Sequence, residues 1–304
     1  MQARRALCLT AVAVLLLSAC GKKEEPKPVV QSQTPATTGQ VSQSTETAQT
    51  SSPVQVSQRR ENFLSVVCAP GAHGDILDEA SLLLAKEGIT LEIHDEFDDY
   101  LIPNMFVDGG VYDCNFFQHE AYLETFNREQ DTQLVSVGRI FFEPLGVYPG
   151  RKSALGELGD GDSIAIPADA SNQGRALQLL SDLNYLVLSG EKGEAGLSDI
   201  TGNPHNLNII LMDAALLPSA VSTADYVVMN GNYARQALYT LTVDALAYEN
   251  PKSASAARYA NVIVTRPELA QDPAIRCLVE VLKGDTIRTF IEDHYAGGLV
   301  PCSE

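Results

Sequence analysis

The part of the chain best suited to chemistry places an arginine at the predicted start of a helix. The apolar strand Ile164-Ala165-Ile166 runs into Pro167 and then into Ser171-Asn172-Gln173-Gly174-Arg175-Ala176-Leu177, where Ser171 can cap a helix. Free N–H groups and the positive end of the helix dipole favour an anion there, and Arg175 can bind a carboxylate through two hydrogen bonds. The pattern indicates a site for an anionic small molecule, although a capped helix with a surface arginine would also produce it.

A second apolar strand ends in asparagines. The segment Asn230-Gly231-Asn232-Tyr233-Ala234 directly follows Met229. Asparagine side chains both donate and accept hydrogen bonds, which suits the amino and carboxylate groups of an amino acid. An ordinary turn built from Asn and Gly is the alternative.

Aromatic residues collect in the first half of the chain. Tyr100 follows Phe97-Asp98-Asp99, and the segment Asn115-Phe116-Phe117-Gln118-His119 ends a predicted strand, with Tyr122 one turn further on. Rings at these positions could wall an apolar, polarizable side chain, and a thioether packs well against rings. Each ring could equally fill the core, and His119 could be a structural histidine.

Alternating strands and helices must hold these residues. The apolar pattern predicts strands at 64–69, 89–93, 111–116, 134–142, 163–166, 208–211, 226–229 and 261–264. It predicts helices at 76–84, 100–107, 119–129, 171–183 and 272–291. Repeated strand–helix–strand units indicate an α/β fold with mainly parallel sheets flanked by helices. Two such sets predict two lobes, with a ligand in the cleft between them at the carboxyl ends of the strands.

The first sixty residues predict an exported, lipid-anchored protein. Arg4 and Arg5 precede an apolar run at 7–17 that is too short to span a bilayer. The run ends in Leu17-Ser18-Ala19-Cys20, which resembles a bacterial lipobox and implies cleavage after residue 19 and a lipid on Cys20. Residues 20–60 are rich in Pro, Ser, Thr and Gln, which predicts a disordered linker. The predicted location is the cell membrane, facing outside the cytoplasm.

Composition excludes several classes of function. The chain carries a net charge of −18, which becomes −20 when the signal removes Arg4 and Arg5, so no nucleic-acid partner is expected. The sequence contains no Gly-x-Ser-x-Gly, His-Glu-x-x-His or phosphate-binding Gly-rich motif, so we expect neither catalysis nor a cofactor. The five histidines are scattered, which argues against a metal site. Cys68 and Cys114 are predicted to be buried, while Cys277 and Cys302 could form a disulfide.

Six segments together resemble the methionine-binding lipoproteins, the substrate-binding family of the methionine ABC importer, from about Phe63 to Pro301. They are Pro70-Gly71-x-His73-x-x-Ile76-Leu77, Asp99-Tyr100-x-x-Pro103-Asn104, Asn115-Phe116-Phe117-Gln118-His119, Glu143-Pro144, Ser171-Asn172-Gln173-Gly174-Arg175-Ala176-Leu177 and Asn230-Gly231-Asn232-Tyr233-Ala234.

The resemblance implies a two-lobed, periplasmic-binding-protein-like fold that closes on methionine. It implies that Arg175 binds the ligand carboxylate, that Asn172 and Asn230 hold the carboxylate and amine, and that the side chain is enclosed by Tyr100, Phe117, His119 and Tyr122. The expected lobes are 61–142 with 248–304 returning to it, and 143–247. The implied partners are a membrane permease and its cytoplasmic ATPase, with the protein acting as a monomer.

The chain departs from the family pattern beside the expected site. Glu120-Ala121 stands where members often carry Lys-Pro, and alanine replaces other residues at Ala72, Ala168 and Ala170. Methionine, in the L or also the D form, is therefore the expected ligand, with a methionine-containing dipeptide or another small amino acid as the alternative. A metal-binding or purely structural lipoprotein is a more distant alternative.

Overall fold

The computed structural model describes residues 62–190, 193–253 and 256–302. The predicted signal at 1–19, the lipidated Cys20 and the linker at 20–60 lie outside the described residues. The described chain folds around two sheets. The strands are β1 Phe63–Cys68, β2 Thr90–His94, β3 Cys114–His119, β4 Val135–Phe142, β5 Gly146–Pro149, β6 Ser163–Pro167, β7 Val187–Leu188, β8 Ile200–Gly202, β9 Asn208–Met212, β10 Tyr226–Met229, β11 Ala247–Tyr248, β12 Ala260–Thr265 and β13 Val300–Pro301.

The α-helices cover both sheets. They are α1 Ala72–Leu84, α2 Ile102–Asp108, α3 Glu120–Gln130, α4 Ala170–Asp182, α5 Leu217–Ala220, α6 Gly231–Gln236, α7 Leu241–Asp244, α8 Pro273–Lys283 and α9 Asp285–Tyr295. None of the helices in the described ranges combines the length and apolar character needed to cross a bilayer.

The first sheet has the strand order β13-β4-β12-β3-β1-β2. β1 pairs parallel with β2 and β3, whereas β12 pairs antiparallel with β3 and β4. Alternate residues of β1 face opposite sides, as the two-residue period of a strand requires. Val66 packs into a core with α1, α8 and α9, and Val67 packs into a second core with α2 and α3.

The second sheet has the order β11-β5-β10-β6-β9, and β7 and β8 form a separate hairpin. β6 pairs parallel with β9 and β10, while β5 runs antiparallel to β10 and β11. Ile164 of β6 packs with α4 on one face, and Ala165 packs with α5 and α6 on the other. Each sheet is therefore covered by helices on both faces.

The α/β class and the helix-flanked sheets agree with the sequence prediction, but the sheets are mixed rather than mainly parallel. In each sheet a parallel trio of strands is extended by antiparallel strands. The difference comes from β12, which pairs antiparallel with β3 and β4, and from β5, which pairs antiparallel with β10 and β11.

Two helix predictions also need correction. Asp169, and not Ser171, caps α4, because the Asp169 carboxylate accepts a hydrogen bond from the Asn172 N–H at 3.0 Å. The predicted helix over 272–291 is two helices, broken at Gly284, whose backbone is extended. The apolar spacing already contains this break, since Leu282 and Ile287 are five residues apart instead of three or four.

The four cysteines that the structure describes are not joined by disulfides, so the possible pair Cys277–Cys302 is not formed. Cys68 and Cys114 are buried, as predicted, and Cys277 and Cys302 are half-buried. The chain passes between the two sheets twice, through residues 143–145 and through residues 249–259. Glu143 of the first connection lines the cavity described next, together with residues at or just after the ends of β3, β6 and β10.

Candidate functional site

All seven ligand-binding residues predicted from the sequence line one narrow cavity, whose volume of about 10 Å³ is that of roughly one water molecule. They are Tyr100, Phe117, His119, Tyr122, Asn172, Arg175 and Asn230, and they lie in or next to elements that adjoin both sheets. Gln118, Glu143 and Asn261 complete the lining and were not predicted. Glu120 does not line this cavity; its carboxylate binds Arg139 at 3.1 Å from Nε.

His119 lies where β3 ends and α3 begins. Its Nδ1 accepts a hydrogen bond from the Tyr122 N–H at 3.1 Å and so caps α3. The ring proton must then sit on Nε2, which donates to Oδ1 of Asn172 at 3.1 Å. Burial, reinforced by the nearby positive charge of Arg175, lowers the pKa of His119 to about 3. The imidazole is therefore neutral and has a fixed orientation at neutral pH.

Asn172 is the central amide of the polar end of the cavity. Its Nδ2 donates to the Asp169 carboxylate at 2.9 and 3.1 Å, and its Oδ1 also accepts from Nδ2 of Asn230 at 2.9 Å. This chain of bonds orients Asn230 so that its Oδ1 is buried without a hydrogen-bond partner in the described part of the chain. A buried acceptor of this kind favours a ligand that donates, such as an ammonium group.

Arg175 is buried rather than on the surface, with only 3% of its side chain exposed. Its Nε and Nη2 donate to the two carboxylate oxygens of Glu249 at 2.7 and 2.6 Å, and Nη2 also donates to the Glu143 carbonyl at 2.7 Å. Burial opposes the charge of Arg175, but Glu249 outweighs it and the pKa of the guanidinium is raised. The remaining nitrogen, Nη1, makes no hydrogen bond to any described residue.

Gly174 allows α4 to approach the loop beside it. A Cβ atom at Gly174 would lie 2.5 Å from the carbonyl oxygen of Gly193, which no side chain tolerates. The glycine before Arg175 is thus required for the close packing of α4 against Gly193.

Aromatic rings form the opposite end of the cavity. The ring of Tyr100 lies 5.8 Å from that of Phe117 and 5.6 Å from that of Tyr122, measured between centroids. The Tyr100 hydroxyl donates to Oδ1 of Asn232 at 2.7 Å, which joins a residue before α2 to one in α6. The lining of the cavity therefore combines hydrogen-bonding groups with a cluster of three rings.

A buried amide cluster supports the aromatic end. Gln118 Nε2 donates to Oδ1 of Asn104 and of Asn115, and Asn115 Nδ2 donates to Asn104 Oδ1 at 2.9 Å. All three side chains are essentially buried, and the bonds satisfy their polar atoms. They explain two polar segments of the sequence, Pro103-Asn104 and Asn115 to His119, as supports for the end of β3.

The cavity residues that the sequence analysis missed carry a common signal, which is a polar residue beside a buried strand. Glu143 directly follows β4, and its carboxylate binds Arg235. Asn261 lies in β12, where its Oδ1 is held 2.9 Å from Nε2 of the fully buried His73. A polar residue within an apolar run is unusual enough to have marked both positions.

No group of three or more His, Cys, Asp or Glu side chains in the described ranges is placed to hold a metal ion. The polar end of the cavity instead combines one guanidinium, one carboxylate and several amides. Such a set matches the charged groups of a small organic molecule, with an apolar part among the rings.

Comparison with known proteins agrees with this geometry. The family model described as NlpA lipoprotein matches residues 64–303. The methionine-binding lipoprotein MetQ of Bacillus subtilis is 35% identical over 237 residues, which are 76% of this chain and 85% of that relative.

Two solved structures extend the comparison. An ABC transporter periplasmic substrate-binding protein from Coxiella burnetii has a TM-score of 0.74 and 32% identity, covering 79% of this chain and 100% of that chain. A nutrient-binding protein from Burkholderia cenocepacia bound to methionine has the same TM-score, identity and coverage.

Proposed function

The chain belongs to the NlpA lipoprotein family, and from this premise we propose that it is the extracytoplasmic substrate-binding lipoprotein of an ABC importer, with methionine as its ligand. The observation that carries the proposal is the single cavity in which all seven residues expected to bind the ligand meet. Relatives of known name support the choice of ligand, since one is called methionine-binding and another is bound to methionine.

The polar end of the cavity would hold the backbone of the amino acid. The free Nη1 of Arg175 can donate to the carboxylate, and Asn172 orients the surrounding amides. The unpartnered Oδ1 of Asn230 and the carboxylate of Glu143 can accept hydrogen bonds from the ammonium group. The thioether would then lie among Tyr100, Phe117 and Tyr122, where sulfur contacts rings favourably.

The proposal includes where the protein works and with what. A lipid on Cys20 would attach it to the cell membrane on the outer side of the cytoplasmic bilayer, and residues 20–60 would tether the binding body. The partners would be a permease and its cytoplasmic ATPase, which receive the ligand from a monomeric binding protein. The proposed activity is binding without turnover, because the cavity residues supply charged groups, amides and rings that can hold a ligand in place.

The experiment is mass spectrometry of any small molecule released when the purified protein is denatured, followed by calorimetric titration of the refolded, ligand-free protein. Methionine in the first step and tight methionine binding in the second are the expected results. A dipeptide or another small amino acid would keep the importer role and change the ligand. Chemical conversion of an added ligand would revive the enzyme alternative, and no ligand-dependent stabilisation with any amino acid would leave a structural lipoprotein.

A further inference from the structure

Two ion pairs of opposite orientation meet at the polar end of the cavity. Arg175 and Glu143 line the cavity, one with each sign of charge. Each is paired outwards with a residue that does not line it: Arg175 with Glu249, and Glu143 with Arg235. Arg175 and Glu143 thus give the cavity one positive and one negative group. Each is paired with an oppositely charged side chain that lies outside the cavity lining.

The pair behind Arg175 is rigid. Glu249 binds the guanidinium through both carboxylate oxygens, and its Oε2 also accepts the Leu145 N–H at 2.8 Å. The exposed fraction of the side chain is 3% for Arg175 and 14% for Glu249. Arg175 further lies over the Tyr259 ring, 4.6 Å from its centroid. The charge of Glu249 is therefore held at a fixed place on the connection 249–259.

The pair behind Glu143 is arranged in the same way from the other side. Arg235 of α6 binds Oε1 of Glu143, and the Glu143 side chain is only 7% exposed. Gly231 gives the carboxylate its space, because a Cβ there would lie 2.7 Å from Oε1 and from Cδ of Glu143. Arg235 also lies 5.7 Å from the centroid of the Tyr295 ring.

Buried charges are weakly screened, so the sum of charge around a cavity decides which ligand charge it accepts. With both ion pairs intact, the charges of Arg175, Glu249, Glu143 and Arg235 sum to zero. A zwitterion adds no net charge, whereas a ligand that lacks its ammonium or its carboxylate leaves one uncompensated charge in the closed site. Asp169, a further carboxylate nearby, does not line the cavity and faces the positive end of α4.

We propose that Glu249 and Arg235 are specificity-determining residues: by neutralising Arg175 and Glu143 from behind, they restrict the cavity to ligands with zero net charge. The proposal rests on the proposed function, because it concerns the same cavity. It assigns a role in ligand choice to two residues that have no place in the cavity wall.

The test uses the purified, ligand-free protein and three ligands that share the methylthioalkyl chain. Methionine is the zwitterion, 4-(methylsulfanyl)butanoate lacks the ammonium, and 3-(methylsulfanyl)propylamine lacks the carboxylate. Both analogues are smaller than methionine, so neither adds a steric clash. The variants are Glu249→Gln and Arg235→Gln. Asp225→Asn is the matched control, because Asp225 forms a similar two-bond pair with Arg151 and lines neither this cavity nor its connections.

The two variants have opposite expected outcomes. In Glu249→Gln the excess positive charge should improve butanoate binding relative to methionine by at least about tenfold. In Arg235→Gln the excess negative charge should improve amine binding relative to methionine by at least about tenfold. The control should keep the wild-type ratios, and the double variant Glu249→Gln/Arg235→Gln, which is neutral again, should return towards them.

Unchanged ligand ratios in both variants, or an equal loss for all three ligands, would overturn the proposal, because a purely structural role predicts either. If one single variant does not fold, the other variant and the double variant still decide the question. Failure of the wild-type protein to bind methionine at all would instead overturn the proposed function.

Discussion

Nε2 of His119 lies 3.1 Å from Oδ1 of Asn172, and this hydrogen bond joins the end of a strand in the first sheet to the start of α4 in the second. The Tyr100 hydroxyl and Asn232 form a similar bond at the aromatic end. The cavity is thus bounded by side chains of both sheets that already bind one another. A ligand enclosed here would contact side chains that these hydrogen bonds hold in place.

Replacing Arg175 by alanine should weaken methionine binding by at least about 2 kcal/mol, because a charge-assisted hydrogen bond to the carboxylate is lost. Isothermal titration calorimetry measures the change. Arg151→Ala is the control, since Arg151 also binds a carboxylate but does not line the cavity. Equal affinity in Arg175→Ala and wild type would remove Arg175 from the site.

Tyr100→Phe should keep the aromatic wall and remove only the bond to Asn232. Because Asn232 is buried, we expect affinity for methionine to fall by about 1 kcal/mol. Calorimetry would be compared with Tyr148→Phe, in which the removed hydroxyl is buried without a hydrogen-bond partner among the described residues. The same affinity loss in both variants would mean that the bond across the cavity contributes nothing.

His119 predicts how stability depends on pH. Its folded pKa of about 3 lies below the ordinary value of 6.5, so between these values the unfolded chain binds more protons. The free energy of unfolding should therefore be unaffected by His119 above pH 6.5 and fall as the pH drops below it, by up to about 1.4 kcal/mol per pH unit.

Chemical denaturation of His119→Gln at pH 7 and pH 4.5 tests this dependence. The variant should lose about 2 kcal/mol less than wild type over this interval. The burial that lowers the pKa of His73 acts in the same direction and is present in both proteins, so it cancels in the comparison. Identical pH profiles for His119→Gln and wild type would contradict the assignment.

Methionine should reduce the radius of gyration measured by small-angle X-ray scattering. The ligand would contact His119, which ends a strand of the first sheet, and Arg175, which lies in the helix after β6 of the second, and so favour a closed arrangement of the predicted lobes. Arg175→Ala at the same methionine concentration should keep the ligand-free curve. Superimposable curves with and without methionine in wild type would rule out closure.

Much of the site was predictable because its residues follow strands. Asn230 comes directly after β10, His119 ends β3, and Asn172 and Arg175 open the helix after β6. The ends of β6 and β10 meet because these strands are neighbours in one sheet, but β3 belongs to the other sheet, and the resemblance to the methionine-binding lipoproteins was needed to group all these residues. Whether they bind the ligand as expected stays a prediction.

The charge balance of the site was not predictable in the same way. Glu249 is 74 positions from Arg175 and Arg235 is 92 positions from Glu143, and nothing near either residue in the sequence identifies its partner. The mixed parallel and antiparallel pairing of the sheets was also not predicted. The apolar pattern of a strand is the same in both directions, so the pattern does not show which way a strand runs beside its neighbour.

The position of β12 at the centre of the first sheet governs the order in which the protein can be assembled. The strands of the second sheet lie between residues 146 and 248, so that sheet can be completed as soon as this stretch has been synthesised. In the first sheet β12 alone connects β4 to β3, and it begins only at Ala260. A nascent chain that ended before Ala260 would possess one finished sheet and two separate pieces of the other. The first sheet can therefore be completed only after the last forty-five or so residues have been synthesised.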